Sequence, residues 1–93
     1  MRKIEQSMIH AIKTRTTWHG SNTSVSIHSV NGQPVPNIFL HGNHIASVDN
    51  GVVRVNAETL AKWPSATTKS RLRALGANVT TRNGVTYLDG KAV

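Results

Sequence analysis

Three Asn-Gly dipeptides, at residues 31–32, 50–51 and 83–84, place the strongest constraint on how this 93-residue chain can fold. Each lies between short runs rich in β-branched residues. In that position Asn-Gly is the strongest local signal of a β-hairpin, because both residues of the favoured two-residue turn need a positive φ. A turn at Asn50-Gly51 pairs Val48 with Val53 on one apolar face. The sequence therefore predicts an antiparallel meander followed by a separate hairpin.

A further turn is predicted at Gly42-Asn43, which would make His41 and His44 cross-strand neighbours. The segment between the first two predicted strands is expected to be a looser connection, because Pro34 and Pro36 cannot donate hydrogen bonds to a ladder. The strands of the meander are predicted near residues 23–30, 37–41, 44–49 and 52–56.

Helical periodicity flanks the meander. Residues 2–15 have apolar side chains at the spacing of one helical stripe. Residues 57–63 follow a capping asparagine and end at Pro64, and residues 67–75 form a second short helix capped by Ser65 or Thr67.

The resulting fold class is α+β, with an N-terminal helix, an antiparallel β-meander, a helix-turn-helix-like pair and a C-terminal β-hairpin at residues 78–88. The two short helices and the C-terminal hairpin occur in the order of the second helix, recognition helix and wing of a winged helix-turn-helix. Residues 1–93 are expected to form a single small basic domain, since no linker is long enough to divide them.

Composition narrows the possible partners. Eleven Lys and Arg against four Asp and Glu give a formal net charge of +7, which favours a polyanionic partner. The chain has no cysteine, so disulfides and thiolate metal sites are excluded. No apolar run approaches the roughly 20 residues of a membrane span, and the N-terminus lacks the pattern of a signal peptide. No membrane association is expected.

The cations are concentrated at the start of the last predicted helix, "TTKSRLRALG", residues 67–76. That end of a helix carries a positive partial charge and favours anions, so an anionic ligand would explain its composition. The residues predicted to bind nucleic acid are Thr67, Thr68, Lys69, Ser70, Arg71, Arg73 and Arg82. The alternative interpretation is an ordinary solvated cationic face. The order of elements also suits, as a minor variant, a double-stranded-RNA-binding domain.

Neither a metal site nor catalysis is predicted. His41 and His44 would need a third ligand, for which His28 is the only nearby candidate, so a polar hairpin tip is the favoured interpretation. No cofactor is predicted, because the chain has no Gly-rich phosphate loop. The four acids are scattered over different elements and form no acid/base pair. The protein is expected not to be an enzyme.

The segments "IFLHGNHIA" (residues 38–46) and "TTKSRLRALG", together with the opening "MRKIEQSMIHAIK", resemble a family of small accessory proteins of T7-like podophages and related tailed phages. The resemblance spans most of the chain. It implies a phage protein that acts in the host bacterial cytoplasm, and it carries over no functional residue.

Three functions are compatible with these observations. The first is nucleic-acid binding, to DNA more than RNA, through the cationic helix start and the hairpin. The second is a host-takeover factor that binds and inhibits or modulates an acidic host protein. The third is an assembly role in which the sheet pairs subunits. None of them is enzymatic.

Overall fold

The computed structural model describes all 93 residues and shows an α+β fold, which confirms the predicted class. The elements are α1 (Lys3–Thr14), β1 (Trp18–His19), β2 (Thr23–Val30), β3 (Gln33–Leu40), β4 (Asn43–Asp49), β5 (Val52–Val55), α2 (Ala57–Lys62), α3 (Ala66–Ala74), β6 (Val79–Arg82), β7 (Val85–Leu88) and β8 (Lys91–Ala92). Strands β1–β5 form a five-stranded antiparallel meander in chain order, and β6–β8 form a three-stranded one.

The predicted Asn-Gly hairpins are present. Asn31, Asn50 and Asn83 have φ between 50° and 52°, and the glycine after each has φ of 77° or 78°. These values match the positive φ that such turns require at both central residues. The predicted pairing of Val48 with Val53 is confirmed.

The predicted turn at Gly42-Asn43 is wrong by one residue. The turn is His41-Gly42, with φ of 51° and 79°, so Phe39 rather than His41 pairs with His44. Glycine therefore takes the second central position here, as it does in the three Asn-Gly turns. The two histidines are consequently not cross-strand neighbours.

The looser connection predicted around the prolines is also wrong, because β3 begins at Gln33 and includes both of them. Pro34 and Pro36 occupy alternate positions of the β2–β3 ladder, those at which an antiparallel pair exchanges no hydrogen bonds. Their nitrogens would face β4, whose pairing with β3 begins only at Asn37. The missing N–H groups therefore cost the sheet no ladder bond.

One hydrophobic core joins the helices to the larger sheet and to β6. Its buried members are Met8, Ala11, Val25, Ile38, Leu40, Ile45, Ala46, Leu60, Leu72 and Val79. Full burial of such side chains contributes about 1.5–3 kcal/mol each for the larger ones. The predicted caps of the short helices are confirmed, since Asn56 Oδ1 accepts from the Thr59 amide at 3.2 Å and Ser65 Oγ accepts from the Thr68 amide at 3.1 Å.

Two short strands, β1 and β8, were not predicted. The turn before β8 is Asp89-Gly90, again with positive φ at both residues. None of the three helices combines the length and the hydrophobicity needed to cross a bilayer.

Candidate nucleic-acid interface

The cationic helix α3 is partly buried. It packs against α1, β4 and β6, and among its nine residues Ala66 and Arg73 are exposed, four are half-buried and three are buried. The free face that a recognition helix would insert into a groove is therefore small. The order α2, α3 and hairpin agrees with the sequence prediction, but α3 has limited surface with which to read base edges.

Arg71 is the main departure from the predicted interface. Its side chain is buried, at 3% exposure. The guanidinium donates from Nη1 to Glu5 Oε2 at 2.9 Å, from Nε to Thr23 Oγ1 at 2.9 Å and from Nη2 to Asn22 Oδ1 at 3.3 Å. Because its donors are directed to groups inside the protein, the expectation that Arg71 contacts nucleic acid does not fit this structure. It holds α3 against α1 and β2.

Glu5 neutralises the cation at the centre of α3. Burial alone would raise its pKa, but hydrogen bonds from the Ser70 hydroxyl, Arg71 and the Arg2 backbone amide, together with the Arg71 charge, outweigh burial and leave the pKa lowered. The carboxylate is therefore ionised at neutral pH. The Ser70 hydroxyl donates to the same carboxylate. Its hydrogen atom is therefore not free to bind the phosphate of a nucleic acid.

The start of α3 is also largely satisfied within the chain. Thr68 is 3% exposed, and its hydroxyl lies 3.0 Å from Ser65 Oγ. Its predicted contact with a nucleic acid therefore does not fit the structure either. Thr67 is half-buried and lines a cleft beside Trp63.

The remaining predicted cations lie at β6: Lys69 and Arg73 reach it from α3, and Arg82 is its last residue, on the opposite face of the strand from Thr81. Lys69 Nζ donates to Thr81 Oγ1 at 2.6 Å, and Arg73 Nε donates to the Val79 carbonyl at 2.8 Å. Arg82 ends the strand, with its guanidinium 5.4 Å from the ring centroid of Tyr87.

We call Lys69, Arg73 and Arg82 the β6 cation row. The single ion pair of the structure joins Arg71 to Glu5, so no member of the row has a carboxylate within 4.0 Å. No carboxylate of the protein therefore offsets these three positive charges by an ion pair.

The histidine motif has a structural role. His44 Nε2 lies 3.0 Å from Asn37 Oδ1, and its Nδ1 lies 3.2 Å from Asn56 Nδ2, so the ring links β3 to the residue that caps α2. No three side chains of His, Cys, Asp or Glu are grouped closely enough to hold a metal ion.

Comparison with known protein families identifies the origin of the chain. A family described as Kyanoviridae Gp96 protein matches residues 1–93. The chain belongs to this family. It is a family of phage proteins, as the sequence resemblance implied, whereas the narrower link to T7-like podophages is not supported. No match was found among curated proteins or among solved structures.

The sequence did not identify Trp63 as a candidate functional residue. The predicted helix over residues 57–63 includes Trp63, yet α2 ends at Lys62 and Trp63 is 46% exposed. Pro64 is the sequence signal that the helix ends before Trp63, because the residue before a proline is biased away from helical backbone.

Proposed function

We propose that this phage protein binds nucleic acid through the β6 cation row, in the cytoplasm of the host bacterium. The observation that carries the proposal is the distribution of charge. Arg71 and Glu5 cancel each other inside the fold, and every other Lys and Arg is exposed or half-exposed. The formal excess of +7 is therefore a surface property. A polyanion is the partner such a surface favours.

Within that surface, the β6 cation row is the best candidate for phosphate contacts. Lys69 and Arg73 are held against β6 by hydrogen bonds, so their side chains lose less conformational freedom on binding than free surface cations would. Arg73 uses only Nε internally, which leaves its terminal amino groups for a phosphate.

The binding expected from this geometry is to the backbone rather than to base edges. α3 exposes too little of its surface to enter a groove deeply, while phosphate contacts need only the ends of long side chains. Duplex DNA is the first probe, because the order of α2, α3 and the hairpin is that of a DNA-binding module.

A fluorescence-anisotropy titration with labelled duplex DNA tests the proposal. Contacts to three phosphates predict an affinity about 40-fold lower at roughly 200 mM than at roughly 50 mM salt. Matched RNA and single-stranded probes establish the preference. An affinity that does not change with salt, or no binding to any probe at low salt, would overturn the proposal.

The same charges would suit an acidic host protein, the alternative that the sequence left open. A pull-down from host lysate after nuclease treatment distinguishes the two. Recovery of an acidic protein, combined with failure of every nucleic-acid probe, would replace nucleic acid with that partner.

A further inference from the structure

A cleft of about 440 Å³ lies between the β3–β4 turn and the α2–α3 connection. Its volume falls in the usual range of small-molecule sites, about 300–1,000 Å³. Its lining includes Leu40, Ile45 and Trp63, with polar groups from His41, Asn43 and Thr67. The cleft thus combines buried aliphatic side chains, one aromatic ring and a rim of hydroxyl, amide and imidazole groups.

The indole of Trp63 is the unusual part of this cleft. It belongs to the few large apolar side chains that the fold leaves exposed, at 46%. Lys62 Nζ lies 5.0 Å from the ring centroid, so a cation is already attracted to the π system. Leu40 and Ile45 also line the cleft but, at 5% and 2% exposure, leave the indole as its main apolar surface.

Planar heteroaromatic rings suit such a lining. A nucleobase can stack on an indole whatever its identity, because every base has a π face, and its edge can bond to polar groups at the rim. The phosphates flanking that base would meet a strongly basic surface, with Lys62 over one face of the indole and the other face left for the base. A single exposed indole has room for one base.

We propose that this cleft is a nucleobase site, in which one unpaired base of a bound single strand stacks on Trp63. The site rests on the proposed nucleic-acid binding and makes it more specific. The β6 cation row holds the backbone of any nucleic acid, whereas the cleft selects strands with an unpaired base. The protein would then bind single-stranded DNA or RNA more tightly than a fully paired duplex.

The test uses intrinsic fluorescence and affinity together. A Trp18→Phe variant leaves Trp63 as the sole indole of the chain. Titration with an oligothymidylate should quench its emission, while a blunt duplex of equal charge should leave the emission nearly unchanged.

In the wild-type background, Trp63→Ala should weaken single-strand binding by roughly 5- to 150-fold, the range found when a stacking aromatic is truncated. Trp63→Phe should retain most of the affinity, and duplex affinity should change less than about twofold in both variants.

The outcomes separate the two proposals. If Trp63→Ala binds single strands as tightly as wild type, or the oligothymidylate causes no quenching, the nucleobase site is wrong while binding through the cation row stands. If the wild-type protein binds neither single strands nor duplexes at low salt, both proposals are overturned. Loss of single-strand affinity in Trp63→Ala with duplex affinity retained supports the site.

Discussion

The buried pair of Arg71 and Glu5 allows a sharp prediction about stability. Replacing Arg71 with Met leaves the Glu5 side chain, at 4% exposure, without its cation, and replacing Glu5 with Leu leaves the Arg71 side chain, at 3% exposure, without its anion. Removing one partner of a buried pair costs about 3–5 kcal/mol. For a chain of 93 residues, each kcal/mol lowers Tm by roughly 5 °C, so each single variant should melt about 15–25 °C below wild type.

The double variant, Glu5→Leu with Arg71→Met, should be far more stable than either single variant. Thr23 and Asn22 still hydrogen-bond to each other at 2.8 Å, and Ser70 is half-exposed and can bond to water. Apolar replacement of a whole buried pair is often neutral or stabilising, so we expect unfolding free energies within about 1 kcal/mol of wild type or higher.

Urea denaturation of the four proteins, followed by circular dichroism, measures the coupling between the two positions. A coupling energy of about 3 kcal/mol or more is expected if the charges depend on each other. The reasoning fails if either single variant loses less than about 1 kcal/mol, or if the double variant is as unstable as the two single losses added together.

Two further predictions concern stability. Because the folded-state pKa of Glu5 lies below its ordinary value of 4.5, its contribution is complete at neutral pH and is lost as pH falls through the folded pKa. Urea unfolding at a series of acid pH values should show the unfolding free energy of the wild type falling with pH. The unfolding free energy of Glu5→Gln should depend much less on pH. Equal pH dependence in the two proteins would contradict this role of Glu5. Gly20→Ala should cost about 1–3 kcal/mol, because a Cβ there would lie 2.8 Å from Trp18 and 3.1 Å from Ile4. Thermal melts check this against the exposed neighbour Ser21→Ala, which should stay within about 0.5 kcal/mol of wild type.

Much of the fold follows from local sequence. The Asn-Gly turns specify three hairpins because the φ values they favour depend on two adjacent residues alone. The caps of α2 and α3 depend on groups three residues apart. Around Gly42 the glycine can stand first or second in a two-residue turn. The sequence prediction placed it first, whereas the observed register places it second, after His41.

The site was harder to predict, because the role of a cation depends on which groups surround it in the fold. Glu5 and Arg71 are 66 residues apart in the chain, and only the packing of α1 against α3 brings them together. The helical spacing of Thr68, Leu72 and Leu75 places Arg71 on the buried face and Arg73 away from it, but only the packing identifies Glu5 as the partner of that buried charge. The exposure of Trp63 likewise depends on how the α2–α3 connection sits over β4.

The most direct test is the slope of log affinity for duplex DNA against log salt, measured for two charge-matched double variants. Arg73→Gln with Arg82→Gln removes two cations of the β6 row, whereas Lys13→Gln with Arg54→Gln removes two exposed cations elsewhere. If the row holds phosphates, the first variant should lose about 1.8 units of slope and the second almost none. Equal slopes in the two variants, or a larger loss in the second, would contradict the assignment of binding to the row.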